Sequence, residues 1–262
     1  MSFATINRTH IYWDECGSGP PLLLIMGLGY SSLMWHRSRA VLSSRFRTIA
    51  FDNRGVGRSE VPVGPYSISL MASDAAAVLD AAGVEDSHVF GVSMGGMIAQ
   101  ELAMTYPRRV RSLVLGCTAS GWPFAVPVDP EALKVVMAHN MNPEEAATAI
   151  RPFIYDLGTP HERIAEDNRV LSRSYLAPEG FAAQLHGIMG WQATARISTI
   201  IAPTLVLHGD SDRLIPALNG RLIADRISSA RFALLPKASH IFATDQPELT
   251  HQLLLDFLQA PS

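Results

Sequence analysis

The chain has 262 residues, enough to bury a substantial core without disulfide or metal staples. It reads as one large domain or as one core with an insertion. Its 48% hydrophobic and 17% charged residues exclude disorder, collagen-like repeats and coiled coils, and a balance of 21 basic against 24 acidic residues carries no basic nucleic-acid footprint.

Taken in order, residues 3–16 read as a hairpin, closed by Gly17-Ser18-Gly19-Pro20-Pro21. Residues 22–26 (LLLIM) form a continuous apolar run, which suits a strand buried on both faces of a parallel sheet. A helical pattern over 32–44 leads to a strand over 47–52, centred on Ile49-Ala50-Phe51. The loop DNRGVGRS (52–59) reads as a glycine turn held by Asp52 and Arg54. A phosphate cradle would need lysine and Ser/Thr after the glycine, and neither is there. Helical spacing over 68–81 stops at Gly83. A strand over 88–92, a helix over 94–106 and a strand over 110–115 follow. This order predicts a parallel α/β sheet with helices on both faces.

The alternation stops near 120. Residues 120–130 carry three prolines and read as a linker. Helical patterns alone fill 131–198. Asn142-Pro143-Glu144-Glu145 reads as a cap with proline at the first helical position, and Thr159-Pro160-His161-Glu162 as a capping box. Pro178-Glu179 opens another helix. Strands over 204–208 and 231–235 and helices over 216–227 and 247–259 then restore the alternation. An all-helical insertion over 120–199 therefore interrupts an α/β core made of 1–119 and 200–262.

No run of about 18 apolar residues predicts a membrane span. The N-terminal MSFATINRTHIYWDE lacks the apolar core of a signal peptide, so a cytoplasmic location is expected. Cys16 and Cys117 show no CxxC or zinc spacing and read as reduced thiols. No metal cluster or cofactor motif is visible.

Between the 88–92 strand and the 94–106 helix lies Gly91-Val92-Ser93-Met94-Gly95. A serine at so sharp a strand-to-helix turn is pushed out at the C-terminal edge of the sheet, above a helix N-terminus. Its hydroxyl needs a base, and the base needs an acid to orient it. The acid candidates, Asp210 and Asp212, follow the 204–208 strand. His240 follows the last strand, at the same edge. Of the nine histidines it is the one in a loop past a strand end after the acid. His208 lies inside a strand, His251 on the final helix, His139, His161 and His186 in the insertion, and His10, His36 and His88 before the serine. These eight read as surface or structural residues.

With GVSMGG, DNRGVGRS, PTLVLHGDSDRLIP (203–216) and Ala238-Ser239-His240, the chain resembles the α/β-hydrolase-fold serine hydrolases. The likeness lies closest to their carboxylesterase, enol-lactonase-like and aclacinomycin-methylesterase-like branch. It covers the core and implies the order Ser93, Asp212, His240. Asp212 is the second aspartate of the family's G-x-x-D turn, whereas Asp210 suits a cap of that turn. The implied mechanism is acyl transfer: Ser93 attacks a carbonyl, His240 moves the proton and Asp212 fixes the imidazole. The oxyanion would take backbone N–H groups of Met94 and Leu28. Relatives usually have His-Gly where this chain has Met26-Gly27, and the departure removes a side chain that normally braces the loop.

The insertion stands where relatives carry a cap. Its large apolar residues include Trp122, Phe124, Met137, Met141, Phe153, Tyr155, Phe181, Met189 and Trp191. Met26, Leu28, Met34 and Trp35 come from the core side, near the oxyanion loop. Leu28, Trp122 and Trp191 are the pocket candidates, and Arg151, Arg163, Arg169, Arg173 and Arg196 read as a solvated face paired with acids. A serine nucleophile argues against dehalogenase and epoxide-hydrolase chemistry. The HGGPG loop of proline iminopeptidases is missing. Ile241 stands where ring-cleavage C–C hydrolases commonly carry tryptophan. The expected activity is hydrolysis of a small to medium, mostly apolar ester or lactone, without cofactor or metal. Alternatives on the same triad are a thioesterase, a C–C bond hydrolase or a perhydrolase/cofactor-free haloperoxidase; further away stands a non-catalytic ligand-binding module. The expected partner is a small-molecule substrate, with no nucleic acid and no membrane span, and a homo-oligomer is left open.

Overall fold

Asn7 and Arg8, both at positive φ (49° and 64°), turn the chain tightly between strands β1 (Ser2–Ile6) and β2 (Thr9–Cys16). The computed structural model describes residues 2–138 and 143–260. After this hairpin come β3 (Pro21–Ile25), a 3-10 turn (Ser32–Trp35), α1 (His36–Leu42), β4 (Arg47–Phe51), α2 (Ile68–Ala81), β5 (Ser87–Val92), α3 (Met94–Thr105) and β6 (Val110–Gly116). Helices α4 (Pro130–Val136), α5 (Pro143–Ile154), α6 (His161–Leu171) and α7 (Pro178–Met189) then separate β6 from β7 (Thr204–Gly209). The chain ends with α8 (Leu218–Ala224), β8 (Ala230–Leu235), α9 (Phe242–Asp245) and α10 (Pro247–Leu258).

The strands form one sheet in the order β1-β2-β4-β3-β5-β6-β7-β8. β4 through β8 in that order are parallel, and β2 pairs antiparallel with both β1 and β4. The apolar run at β3 is apolar throughout because both its faces are covered. Leu23 and Ile25 pack with α2 and α3, and Leu22 and Leu24 with α1 and α10. With all six parallel strands pointing one way, the loops after β3, β5, β6, β7 and β8 gather at a single edge. Among the described residues no helix is long and apolar enough to cross a membrane.

Three local readings change. The expected capping box at Thr159 does not form: Pro160 occupies the N-cap position, and the Thr159 hydroxyl donates instead to Asp245 Oδ1 at 2.5 Å. With the helix starting after Pro160, Thr159 lies one residue too early to cap it, and its O–H is free to donate to the buried carboxylate. The helix expected over 216–227 is shorter, and α9 was not foreseen. The cap read at Asn142 lies outside the described residues, as do His139 and Met141.

The glycine loop after β4 is held as read, with partners the sequence did not name. Asp52 accepts from the Ser32 N–H and hydroxyl and from the Arg58 N–H. Arg54 and Asp74 form a buried two-bond ion pair, 2.6 Å at each contact. Asp74→Ala leaves a buried guanidinium unpaired and should lower unfolding free energy by about 3–5 kcal/mol in urea denaturation. Removing the exposed Arg111–Asp86 pair should change it by less than about 1 kcal/mol.

Candidate active site

Ser93 leaves β5 with φ 56° and ψ −123° and enters α3 directly. A non-glycine residue there costs about 1–3 kcal/mol and needs support. Its N–H donates to the Gly116 carbonyl at 2.9 Å, and the Thr118 hydroxyl donates to its carbonyl at 2.8 Å. Residue 95 must be glycine because a β-carbon there would overlap the carbonyl oxygens of Ile25 and Met26. The strain therefore puts the hydroxyl at the sheet edge, at the positive end of the α3 dipole.

The loop after β3 passes close to this hydroxyl. A β-carbon on Gly27 would stand 3.0 Å from Ser93 Cβ and 3.6 Å from its Oγ. Among the described residues no protein acceptor takes the N–H of Leu28 or of Met94. The bracing that Met26 does not supply comes from elsewhere. Asn53 Nδ2 donates to the Met26 carbonyl at 2.9 Å, Tyr30 N–H to the Gly27 carbonyl at 3.3 Å, and Gly29 N–H to Gln184 Oε1 at 2.9 Å. Gln184 lies on α7 and is fully buried, and its Nε2 donates to the Arg54 carbonyl at 2.8 Å.

Asp212 and His240 meet as a buried pair, with Nδ1 2.8 Å from Oδ2. Asp212 Oδ1 accepts the N–H groups of Leu214 and Ile215, both at 2.9 Å. Burial opposes the charge on Asp212, but the His240 and His208 rings outweigh it and hold the carboxyl down at about 2. Burial likewise opposes a charged His240. The Asp212 carboxylate, with the Cys117 sulfur, outweighs it, so the ring holds its proton well above the ordinary 6.5. Asp210, the other acid candidate, is exposed and accepts only a 3.4 Å bond from Ala238 N–H. Ser93 and His240 share the edge without a hydrogen bond between them among the described contacts. The ring faces Cys117, which is buried at φ 41° just past β6. Catalytic contacts of this kind commonly close only when substrate is bound.

The helices between β6 and β7 are fastened to these loops. Ile241 N–H donates to the Ile154 carbonyl at 2.8 Å. Asp245 takes the Ser239 N–H at 2.6 Å beside its Thr159 contact, and burial pushes its carboxyl up to about 6. Asp167, fully buried on α6, accepts from Tyr155 OH at 3.0 Å and Thr244 Oγ1 at 2.7 Å, and pairs with His36 at 3.0 Å. Of the arginines read as a solvated face, Arg196 pairs with Glu101 at 2.8 Å, and Arg163 donates to the carbonyls of Thr244 and Asp245.

A small cavity of about 50 Å³ lies against His240, lined by the apolar Met26, Met34, Trp35 and Phe90 and by the polar Arg37 and Ser38 among others; Ser93 is not part of its lining. Of the pocket candidates, Leu28 lies in the loop beside Ser93, half-buried against the core. Trp122 is half-buried, edge-on to Phe124 with centroids 5.0 Å apart. Trp191 is drawn away: it belongs to the core cluster, and its indole N–H donates to Glu101 at 2.9 Å. Glu101 is eight residues along α3 from Ser93, about 12 Å at helical rise. Local spacing gave no hint of Gln184, Asp245 or Asn53. His208 stands four residues before Asp212, inside the strand that the sequence predicts over 204–208.

The α/β-hydrolase-fold family model matches residues 20–247, and this chain belongs to that family. Its relatives and neighbours are named hydrolases. A protein of Azorhizobium caulinodans named carbamate hydrolase RutD is 32% identical, covering 98% of each chain. A poly(3-hydroxyalkanoate) depolymerase of Ectopseudomonas oleovorans is 33% identical, over 91% of this chain and 84% of its own. Among solved structures, the enol-lactonase of Burkholderia xenovorans LB400 superposes with a TM-score of 0.87 at 26% identity, covering 99% of this chain and 100% of that one. The chain is a hydrolase of this fold.

Proposed function

We propose that this hydrolase cleaves a small to medium, mostly apolar carboxylic ester or lactone through an acyl-enzyme on Ser93. The observation that carries the reading is the buried 2.8 Å Asp212–His240 pair, at the same sheet edge as the strained Ser93. His240 takes the Ser93 proton as Oγ attacks the carbonyl carbon. The N–H groups of Met94 and Leu28 receive the developing oxyanion, each donor being worth about 3–4 kcal/mol of barrier. His240 returns the proton to the leaving oxygen. A water, activated by the same ring, then releases the acid. The 120–199 segment acts as a cap over this edge, and the half-buried Leu28 in the loop beside Ser93 supports a mostly apolar substrate. The names of the relatives add one second reading: a carbamate carbonyl would meet the same nucleophile and oxyanion donors.

A fluorophosphonate probe tests the class. Labelling is expected at Ser93, and purified protein that stays unlabelled would overturn the reading. A panel of p-nitrophenyl esters of rising chain length, beside lactones, thioesters and carbamates, then ranks the substrates. His240 must be neutral to act as base, and its pKa is raised. The acid limb of kcat/KM is therefore expected above pH 6.5, with activity lost as pH falls through it. A limb well below 6.5 would mean that the Asp212 carboxylate does not hold the His240 ring protonated against its burial.

A further inference from the structure

Asp212 faces two imidazoles. His208, fully buried near the end of β7, places Nε2 3.5 Å from the Oδ2 atom that His240 approaches to 2.8 Å. The same Nε2 lies 2.7 Å from the Ile215 carbonyl. A carbonyl and a carboxylate only accept, so Nε2 carries a hydrogen directed between them. Nδ1 has no hydrogen-bond partner among the described residues, and α8 closes over it so tightly that a β-carbon on Gly220 would overlap it. The ring therefore has one seat and one orientation.

That seat lies under the turn that presents Asp212. The turn is closed from one side by Asp212 Oδ1, which accepts from the N–H of Ile215, and from the other by His208, whose Nε2–H donates to the Ile215 carbonyl. Oδ2 therefore stands between two rings, with His240 Nδ1 at 2.8 Å and His208 Nε2 at 3.5 Å. The other titratable group facing this pair is Cys117, against His240 at the end of β6. Asp210, on the same turn, faces Ala238 instead.

We infer that His208 is a positioning residue for this reaction: by anchoring Ile215 and sharing Oδ2, it sets the direction and strength of the Asp212–His240 hydrogen bond. The inference rests on the triad reading above. A buttress of the turn alone would govern folding. A ring that shares Oδ2 also governs how much of the carboxylate's charge His240 receives.

The test compares His208→Met, which removes the donor at similar volume, with His208→Gln, which keeps an N–H within reach of the same acceptors. His208→Met should lower kcat on the best ester of the panel about tenfold with KM little changed. It should also move the acid limb of kcat/KM upward by about half to one pH unit, because Asp212 is freed to favour protonated His240. His208→Gln should restore most of both. The far-downfield proton resonance of the Asp212–His240 hydrogen bond, recorded in a Ser93→Ala background, should shift in the Met protein and not in the Gln protein. If His208→Met does not fold, Gly220→Ala displaces the ring from its other side and should move the limb in the same direction. A wild-type limb and resonance alongside a lowered melting temperature overturn the inference. Wild-type protein that neither turns over esters nor labels at Ser93 overturns the Ser93 acyl-enzyme reading instead, and the resonance still reports on His208.

Discussion

Ser93→Ala should lower kcat on the best ester of the panel by about a millionfold while leaving the fold intact. The size follows from how the site is built. On the proposed mechanism, without Oγ no acyl-enzyme forms and His240 and Asp212 have no proton to move, so the three act as a unit rather than as separate contributions. Binding and the proposed oxyanion donors of Leu28 and Met94, which do not depend on the serine side chain, would survive. The backbone around Ser93 is held through its N–H, its carbonyl and the close approach at Gly95, none of which involves Oγ. The melting temperature should therefore change little, since alanine carries the same β-carbon at φ 56° as serine does. Kinetics with a chromogenic ester and a calorimetric scan check both halves. Substantial residual turnover at position 93 would mean that another nucleophile carries the reaction.

Asp212→Asn should cost on the order of 10⁴ in kcat, the scale seen when a triad acid becomes an amide. The amide nitrogen would meet His240 Nδ1 as a donor and favour the wrong imidazole tautomer. The lost carboxylate charge would also let the acid limb of kcat/KM move to lower pH, because Asp212 is what keeps His240 protonated against its burial. Asp210→Asn is the control. That side chain is exposed and holds a single 3.4 Å contact, so its loss should change kcat by only a few-fold. If Asp210→Asn proved the more damaging of the two, the acid would be misassigned.

The parts of the candidate site that are legible from sequence are those made by neighbours in the chain. Ser93 is marked by a strand, two glycines and a helix within a few residues. Asp212 and His240 are marked by the strand ends they follow, because parallel strands deliver their C-terminal loops to one edge. The 22–26 run announced a doubly covered strand by its unbroken apolarity. What the sequence hides is set by tertiary partners. Thr159 carries a capping pattern, yet its hydroxyl is claimed by Asp245, 86 residues away. Trp191 has the composition of a pocket residue, yet its indole is claimed by Glu101, 90 residues earlier. Gln184 braces the loop beside Ser93 across 155 residues. His208 sits in a strand by every local signal, and only the return of the chain at Ile215 and Asp212 gives its ring something to hold.

The fastening of Thr159, Asp167 and Gln184 bears on how new specificities can be made from this chain. Exchanging the segment between β6 and β7 with that of a relative is an obvious route to altered substrate choice. Here such a graft would also detach Asp245 from Thr159, leave Thr244 and His36 without Asp167, and free the Gly29 N–H. If the segment is the cap proposed above, a chimera that keeps these three side chains is expected to change recognition alone, and one that loses them to change turnover as well.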